Sequence, residues 1–236
     1  TSNLNYSGES GAMNEGFSDI FGTAIEKFAR PTQSDWLIGG DFYIIRSMNN
    51  PNQYSDPDTY NGSYWYTGTG DNGGVHTNSG VLNFWFYLLT TGGSGTNDKG
   101  FAYSVTGLGI TKAQAIAYRT LTYYLVSTSN YAAARTASIK AARDLYGATA
   151  DSVQVKNAWN AVGVGGGTAP ALVTKNSSTA APEGITSSAS IFPNPFGNRI
   201  HVSVTDENGG IKLIELVDIK GSTVLRRSTI FNKGNN

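Results

Sequence analysis

From Gly11 to Arg30 the apolar residues Phe17, Ile20, Phe21, Ala24, Ile25 and Phe28 recur at three-and-four spacing, which predicts a helix with one apolar face and Pro31 just past its end. Glu15, Asp19 and Glu26 read as its opposite, polar stripe. Four further helices are predicted: Asn78 to Thr91, stopping at Gly92-Gly93; Thr111 to about Val126, opened by a Thr-x-x-Gln capping box to Gln114; one beginning at Ser129 or Asn130 and ending before Gly147; and about Ala150 to Ala161. Between Pro31 and Val75 no period is sustained, so a long region broken by turns such as Asp56-Pro57-Asp58 is expected. Its aromatics, Trp36, Tyr54, Tyr60, Tyr64, Trp65 and Tyr66, predict packed loops rather than disorder.

After Val164 the character changes. Gly165-Gly166-Gly167 opens a Gly/Ala/Ser/Thr stretch with too little apolar periodicity to pack, and residues 165–188 read as a flexible linker. From Ala189 the pattern is alternation: Ile200 to Val204, a turn at Asn208-Gly209-Gly210, then Ile211 to Ile219. Three parts are therefore expected: a mainly α domain over 1–164, the linker, and a small all-β, Ig-like sandwich over 189–236.

Composition narrows the function classes. Seventeen basic residues balance seventeen acidic ones, which leaves no field to draw nucleic acid or an anionic membrane. The longest strongly apolar run, around Phe84 to Leu89, is far short of the roughly 20 residues a membrane helix needs. With no cysteine, stability rests on packing or metal rather than on disulfides, and no redox compartment is selected. Few Lys and Glu beside abundant Gly, Ser, Thr, Asn and Tyr accord with secreted microbial proteins.

Glu15 and Asp19 lie four residues apart, about 40° around a helix, so both side chains can converge on one cation or simply face solvent. His76 follows a Gly-Gly turn and has Asp71 five residues upstream, an arrangement in which the carboxylate could fix one tautomer and a protonated ring could donate to a developing oxyanion. A structural histidine is the alternative. Arg46, beside Ile44 and Ile45, could grip a substrate carbonyl or pair with Asp56 or Asp58. Glu26 and Arg30 form a common surface pair, and His201 reads as an outward-facing strand residue. With only two histidines and no His-Glu-x-x-His segment, the chain cannot alone supply the two-histidine half of a zinc site.

Glu9 to Gly22, with Asn14-Glu15-Gly16-Phe17-Ser18-Asp19 at its centre, resembles the glutamate zinc-ligand helix of the thermolysin-like neutral metalloproteases, a standard example of zinc held by two histidines and a glutamate. Arg46 to Pro51 with Tyr54 to Asp58 resembles that family's substrate arginine loop. Tyr66 to Gly80 is similar to its active-site histidine segment, and Ala158 to Val164 to its domain end. The resemblance implies that Glu15 is a zinc ligand with Asp19 behind it, that Tyr6 and His76 stabilise the oxyanion, and that Asp71 orients His76. It further implies that Arg46 binds the carbonyl after the scissile bond and that Ile38 and Ile45 line the pocket on that side, giving cleavage before bulky hydrophobic residues. Calcium is implied at one site, through Glu26, Asp35 and the Leu37 carbonyl, since Leu37 and Gly40 stand where some members carry glutamates. A short deletion before Arg46 removes another calcium loop.

The family's two histidines and general-base glutamate would lie upstream of Thr1, so the isolated chain is expected to be inactive. Ile191 to Phe196 with Val217 to Gly221 resembles a type IX secretion sorting domain lacking its final strands, which implies that secretion machinery as a partner. The expectation is a secreted or surface-attached, monomeric zinc endopeptidase acting on proteins or peptides. The rival is a non-catalytic binding module that kept the fold, which an upstream sequence without His-Glu-x-x-His would favour.

Overall fold

Helix α1 runs Gly8–Ala29, opening three residues earlier than its periodicity predicts because Gly11 N–H already bonds the Ser7 carbonyl. In this computed structural model residues 2–40 and 42–165 are described in full, and beyond them only five strands, by their backbone. The buried side of α1 carries Ala12, Met13, Gly16, Phe17, Ile20, Thr23 and Ala24, and Asp19 is buried with them rather than lying on a polar stripe. Farther along, Ile25 and Phe28 are 68% and 90% exposed. A helix of this length spans about 33 Å, and its burial ends at Ala24, so the last apolar positions of the predicted face meet no core.

Between α1 and the next helix, β1 (Leu37–Ile38) pairs antiparallel with β2 (Arg46–Ser47), Ile38 opposite Arg46, and a 3-10 turn covers Pro51–Tyr54. The loops are packed through their rings, as expected: Tyr60 meets Trp65 edge-on at 4.8 Å, and Trp36 meets Tyr87 at 5.1 Å. Helix α2 (Asp71–Asn78) leads into α3 (Gly80–Thr91), which is apolar nearly all round and forms the middle of the core. Trp85 of α3 stacks on Trp159, and Gly16 lets α1 close on Leu82, where a Cβ would come within 2.9 Å.

A hairpin that periodicity did not predict follows, β3 (Gly92–Thr96) with β4 (Ala102–Thr106). Gly-Gly-Ser-Gly-Thr contains too few β-branched or aromatic residues to announce a strand. Helix α4 (Ile110–Arg119) starts from Gly109 with no side-chain cap, so the predicted Thr111 box does not form; Thr111 lies within the first turn. The helix continues as a π turn, Thr120–Tyr124. Asn130 caps α5 (Tyr131–Tyr146) by accepting from the Ala133 amide, and Thr149 caps α6 (Ala150–Ala161). No helix among the described residues is long and apolar enough to cross a membrane.

The chain divides into two compact units, Thr1–Thr174 and Lys175–Asn236. In the second, β5 (Ser188–Phe192), β6 (His201–Asp206) and β9 (Gly234–Asn235) form one antiparallel sheet, and β7 (Gly210–Val217) pairs with β8 (Thr223–Phe231) in another. The two predicted strands thus correspond to β6 and β7, each in a different sheet. The linker expected at 165–188 and the motif residues 193–196 and 218–221 lie almost wholly outside the described residues.

Candidate functional site

Asp71, Asn72, Gly73 and Gly74 have φ of 50°, 50°, 86° and 78°, so the first turn of α2 is left-handed. Holding non-glycine residues there costs on the order of 1–2 kcal/mol each, least for Asp and Asn, whose short polar side chains bond locally. The amides of Gly73 and Gly74 both donate to the Gly70 carbonyl, and at Gly74 a Cβ would fall 2.6 Å from the Tyr66 ring. This turn folds the Asp71 carboxylate back over the helix. Its Oδ2 accepts the His76 backbone N–H at 2.9 Å and its Oδ1 lies 2.5 Å from His76 Nδ1. Burial pushes the Asp71 carboxyl up, but the bonds from the His76 ring and amide outweigh it and hold the group below its ordinary range.

Tyr6 stands just before α1, on a segment pinned by the Asn5 amide to the Ser127 carbonyl. Its hydroxyl donates a short hydrogen bond to Glu15 Oε1 and lies 3.1 Å from His76 Nε2. A phenol has one hydrogen; given to Glu15, its oxygen can accept from Nε2–H. The bond to Glu15, helped by desolvation and the nearby carboxylates, pushes the Tyr6 hydroxyl up to about 12, so it stays a donor at any ordinary pH. Glu15 Oε2 is 3.6 Å from His76 Nε2 and 4.0 Å from Arg46 Nη2.

One turn on, Asp19 is gripped by Arg46 through both oxygens, Nε to Oδ2 and Nη2 to Oδ1, each at 2.8 Å. Asn83 adds a third donor to Oδ2 at 2.8 Å. Burial lowers the Arg46 guanidinium, but the bonds and charge of Asp19 raise it further, so the cation is secure. Arg46 therefore pairs with Asp19 rather than with Asp56 or Asp58, the plain partners its sequence position offered. Asp58 instead bonds Asn52 and Thr59, while Asp56 is buried close enough to Arg46 and Asp19 to feel both. Desolvation pushes the Asp56 carboxyl up to about 7, Arg46 opposing and Asp19 reinforcing the shift. Across β1–β2, Ile38 sits opposite Arg46 and its carbonyl accepts the Ile45 amide at 2.9 Å, so both apolar residues flank the guanidinium strand.

Glu15, Tyr6, His76 and Asp71 thus converge, and Arg46 borders them. Glu26, Asp35 and Leu37 form a separate group: Glu26 is paired with Arg30 at 2.9 Å, and Asp35 Oδ1 accepts the Leu37 amide at 2.8 Å. Among the described residues no three His, Cys, Asp or Glu side chains lie together as a metal cage. At the first group the chain can offer a metal one carboxylate, Glu15, whose edge is flanked by donors and 18% exposed. That fits one ligand of a larger set. Asn83 was missed by sequence reasoning; its signal is a lone amide inside the apolar run of α3, fully buried, with Oδ1 left without a protein partner.

Residues 2–164 match the family described as thermolysin metallopeptidase, alpha-helical domain. Over 172 residues the chain is 51% identical to a bacillolysin of Bacillus caldolyticus and 51% identical to a thermolysin of Alicyclobacillus acidocaldarius subsp. acidocaldarius, each alignment covering 70% of this chain and 30% of the relative. A bacillolysin of Brevibacillus brevis is 44% identical over the same length. The chain spans about 30% of the length of these curated relatives.

Proposed function

Because this chain belongs to the thermolysin metallopeptidase family, whose alpha-helical domain it carries, we propose that it forms the charge-stabilising half of the active site of a secreted zinc endopeptidase. The observation that carries this reading is the convergence of Tyr6, His76 and Glu15, with one hydroxyl touching both other side chains. Zinc, when bound with Glu15 as one ligand, supplies Lewis-acid polarisation of the scissile carbonyl and lowers the pKa of a water toward ~7. Tyr6 O–H and His76 Nε2–H are the donors for the oxygen on which negative charge develops, the Tyr6 hydrogen having to turn from Glu15, which it bonds in this structure, to serve there. Asp71 keeps hydrogen on Nδ1 and the ring in plane with its target.

Arg46 spends two of its five N–H donors on Asp19, leaving others for a substrate carbonyl, and the Asp19 fork fixes where they point. Ile38 and Ile45 offer an apolar wall for the side chain following the cleaved bond, the basis for preferring bulky hydrophobic residues there. The remaining metal ligands and the general base come from polypeptide outside this chain. Export through the type IX machinery belongs to the same reading, supported by the sequence pattern of the tail.

The test is made on the full-length protein. Casein hydrolysis should be lost in a zinc chelator and return on adding zinc, and Glu15→Gln should reduce bound zinc below one ion per molecule. Stoichiometric zinc in that variant overturns the ligand assignment.

A further inference from the structure

The group implied to hold calcium already contains cations of its own. Lys27, on α1, sends its ammonium over the Trp36 ring, 4.1 Å from the centroid, and donates to the Asp35 carbonyl at 3.0 Å. Glu26 and Asp35 both act on it electrostatically. Arg30, a turn beyond Glu26, bonds Glu26 Oε1 at 2.9 Å and lines the same small cleft as Leu37, Gly39 and Gly40. Two positive charges therefore stand at this group, Lys27 bonded to the loop at Asp35 and Arg30 bonded to Glu26. A calcium ion needs six to eight oxygens at about 2.3–2.6 Å and draws its affinity from surplus negative charge. Between Glu26 and Asp41 the sequence carries three carboxylates but also these two cations, a net of one negative charge. A second divalent-ion carboxylate is missing at Gly40, where only backbone faces Asp35.

We propose that Lys27 and Arg30 are resident cations that tie residues 34–40 to the end of α1, so that this loop, and the β1–β2 pair it enters, is ordered without a bound divalent ion. The ammonium is suited to the place: it lies over the Trp36 ring face and donates to the Asp35 carbonyl. The consequence is a pocket wall of Ile38, Ile45 and Arg46 that does not depend on calcium supply. This inference is independent of the zinc assignment, since Lys27 and Arg30, the two cations that carry it, bond Asp35 and Glu26 and not Glu15.

Hydrogen exchange on the full-length protein reads the loop directly. The Ile45 amide, bonded to the Ile38 carbonyl, and the Met48 amide, bonded to the Trp36 carbonyl, report whether β1–β2 is formed. Their protection should be the same in calcium and in a calcium chelator, and should fall at least tenfold in Lys27→Met under both conditions. Protection that collapses on chelation in the wild type, or that is unchanged in Lys27→Met, overturns the proposal. Terbium, a luminescent calcium substitute, gives a second reading that needs no folded variant of Lys27. Wild-type and Trp36→Phe proteins should show equal sensitised emission, whereas saturable emission that needs Trp36 and disappears in Glu26→Gln shows a divalent-type site and overturns it.

Discussion

Arg46 holds Asp19 by a two-bond fork, 2.8 Å on each arm, and Asp19 is only 6% exposed beneath it. A planar guanidinium matches a carboxylate edge; an ammonium is a point donor and does not. Arg46→Lys should therefore keep the charge yet destabilise the full-length protein by about 1.5–3 kcal/mol, the worth of a charged hydrogen bond, and lower kcat/KM. Equilibrium denaturation and initial rates check this, and an unshifted denaturation midpoint would show that the fork holds nothing.

Tyr6→Phe removes one oxygen and leaves the ring. If that hydroxyl acts on charge that develops only during reaction, kcat should fall about tenfold or more while KM stays nearly constant. A variant that changes KM alone would assign Tyr6 to substrate binding instead.

Asp71 and His76 are bonded at two atoms and should behave as one unit. His76→Ala should lower turnover by roughly 10²-fold or more. Adding Asp71→Asn to it should cost little further, because the orienting group has nothing left to orient. Losses that multiply in the double variant would separate the two roles.

Asp56 makes stability depend on pH in an uncommon direction. Its ordinary value is 3.8 and burial raises it to about 7, so between those pH values the folded protein keeps a proton that the unfolded chain has released. Its contribution to stability is therefore largest below about pH 4, declines as pH rises toward 7, and is level above. Asp56→Asn should flatten that decline and raise stability at pH 8 by about 1 kcal/mol, the cost of ionising a poorly compensated buried group. Thermal midpoints measured from pH 4 to 8 test it, and parallel curves for the two proteins would reject Asp56 as the source.

The long periodic segments were legible in the sequence. α3, α5 and α6 follow apolar spacing and their caps, and the extents of α6 and the start at Asn130 agree with it. Asp19 was misplaced because helical spacing cannot register a buried ion pair whose partner is 27 residues away. The β3–β4 hairpin was missed because its first strand is mostly glycine, so pairing rather than propensity makes it. At the site, Glu15, Asp71 and His76 could be nominated by type and motif, and Tyr6 only through the family resemblance. Their convergence could not, since Tyr6 and His76 are 70 residues apart. Asn83 gave a weaker cue, one amide among apolar neighbours.

The left-handed turn at 71–74 also limits how this chain can be diversified. Four adjacent codons admit almost nothing but glycine, asparagine or aspartate, and Tyr66 closes position 74 to any side chain. A mutational library directed at the candidate site should leave that tetrapeptide and Arg46 untouched and spend its variety on Ile38 and Ile45, whose backbone lies outside the left-handed region.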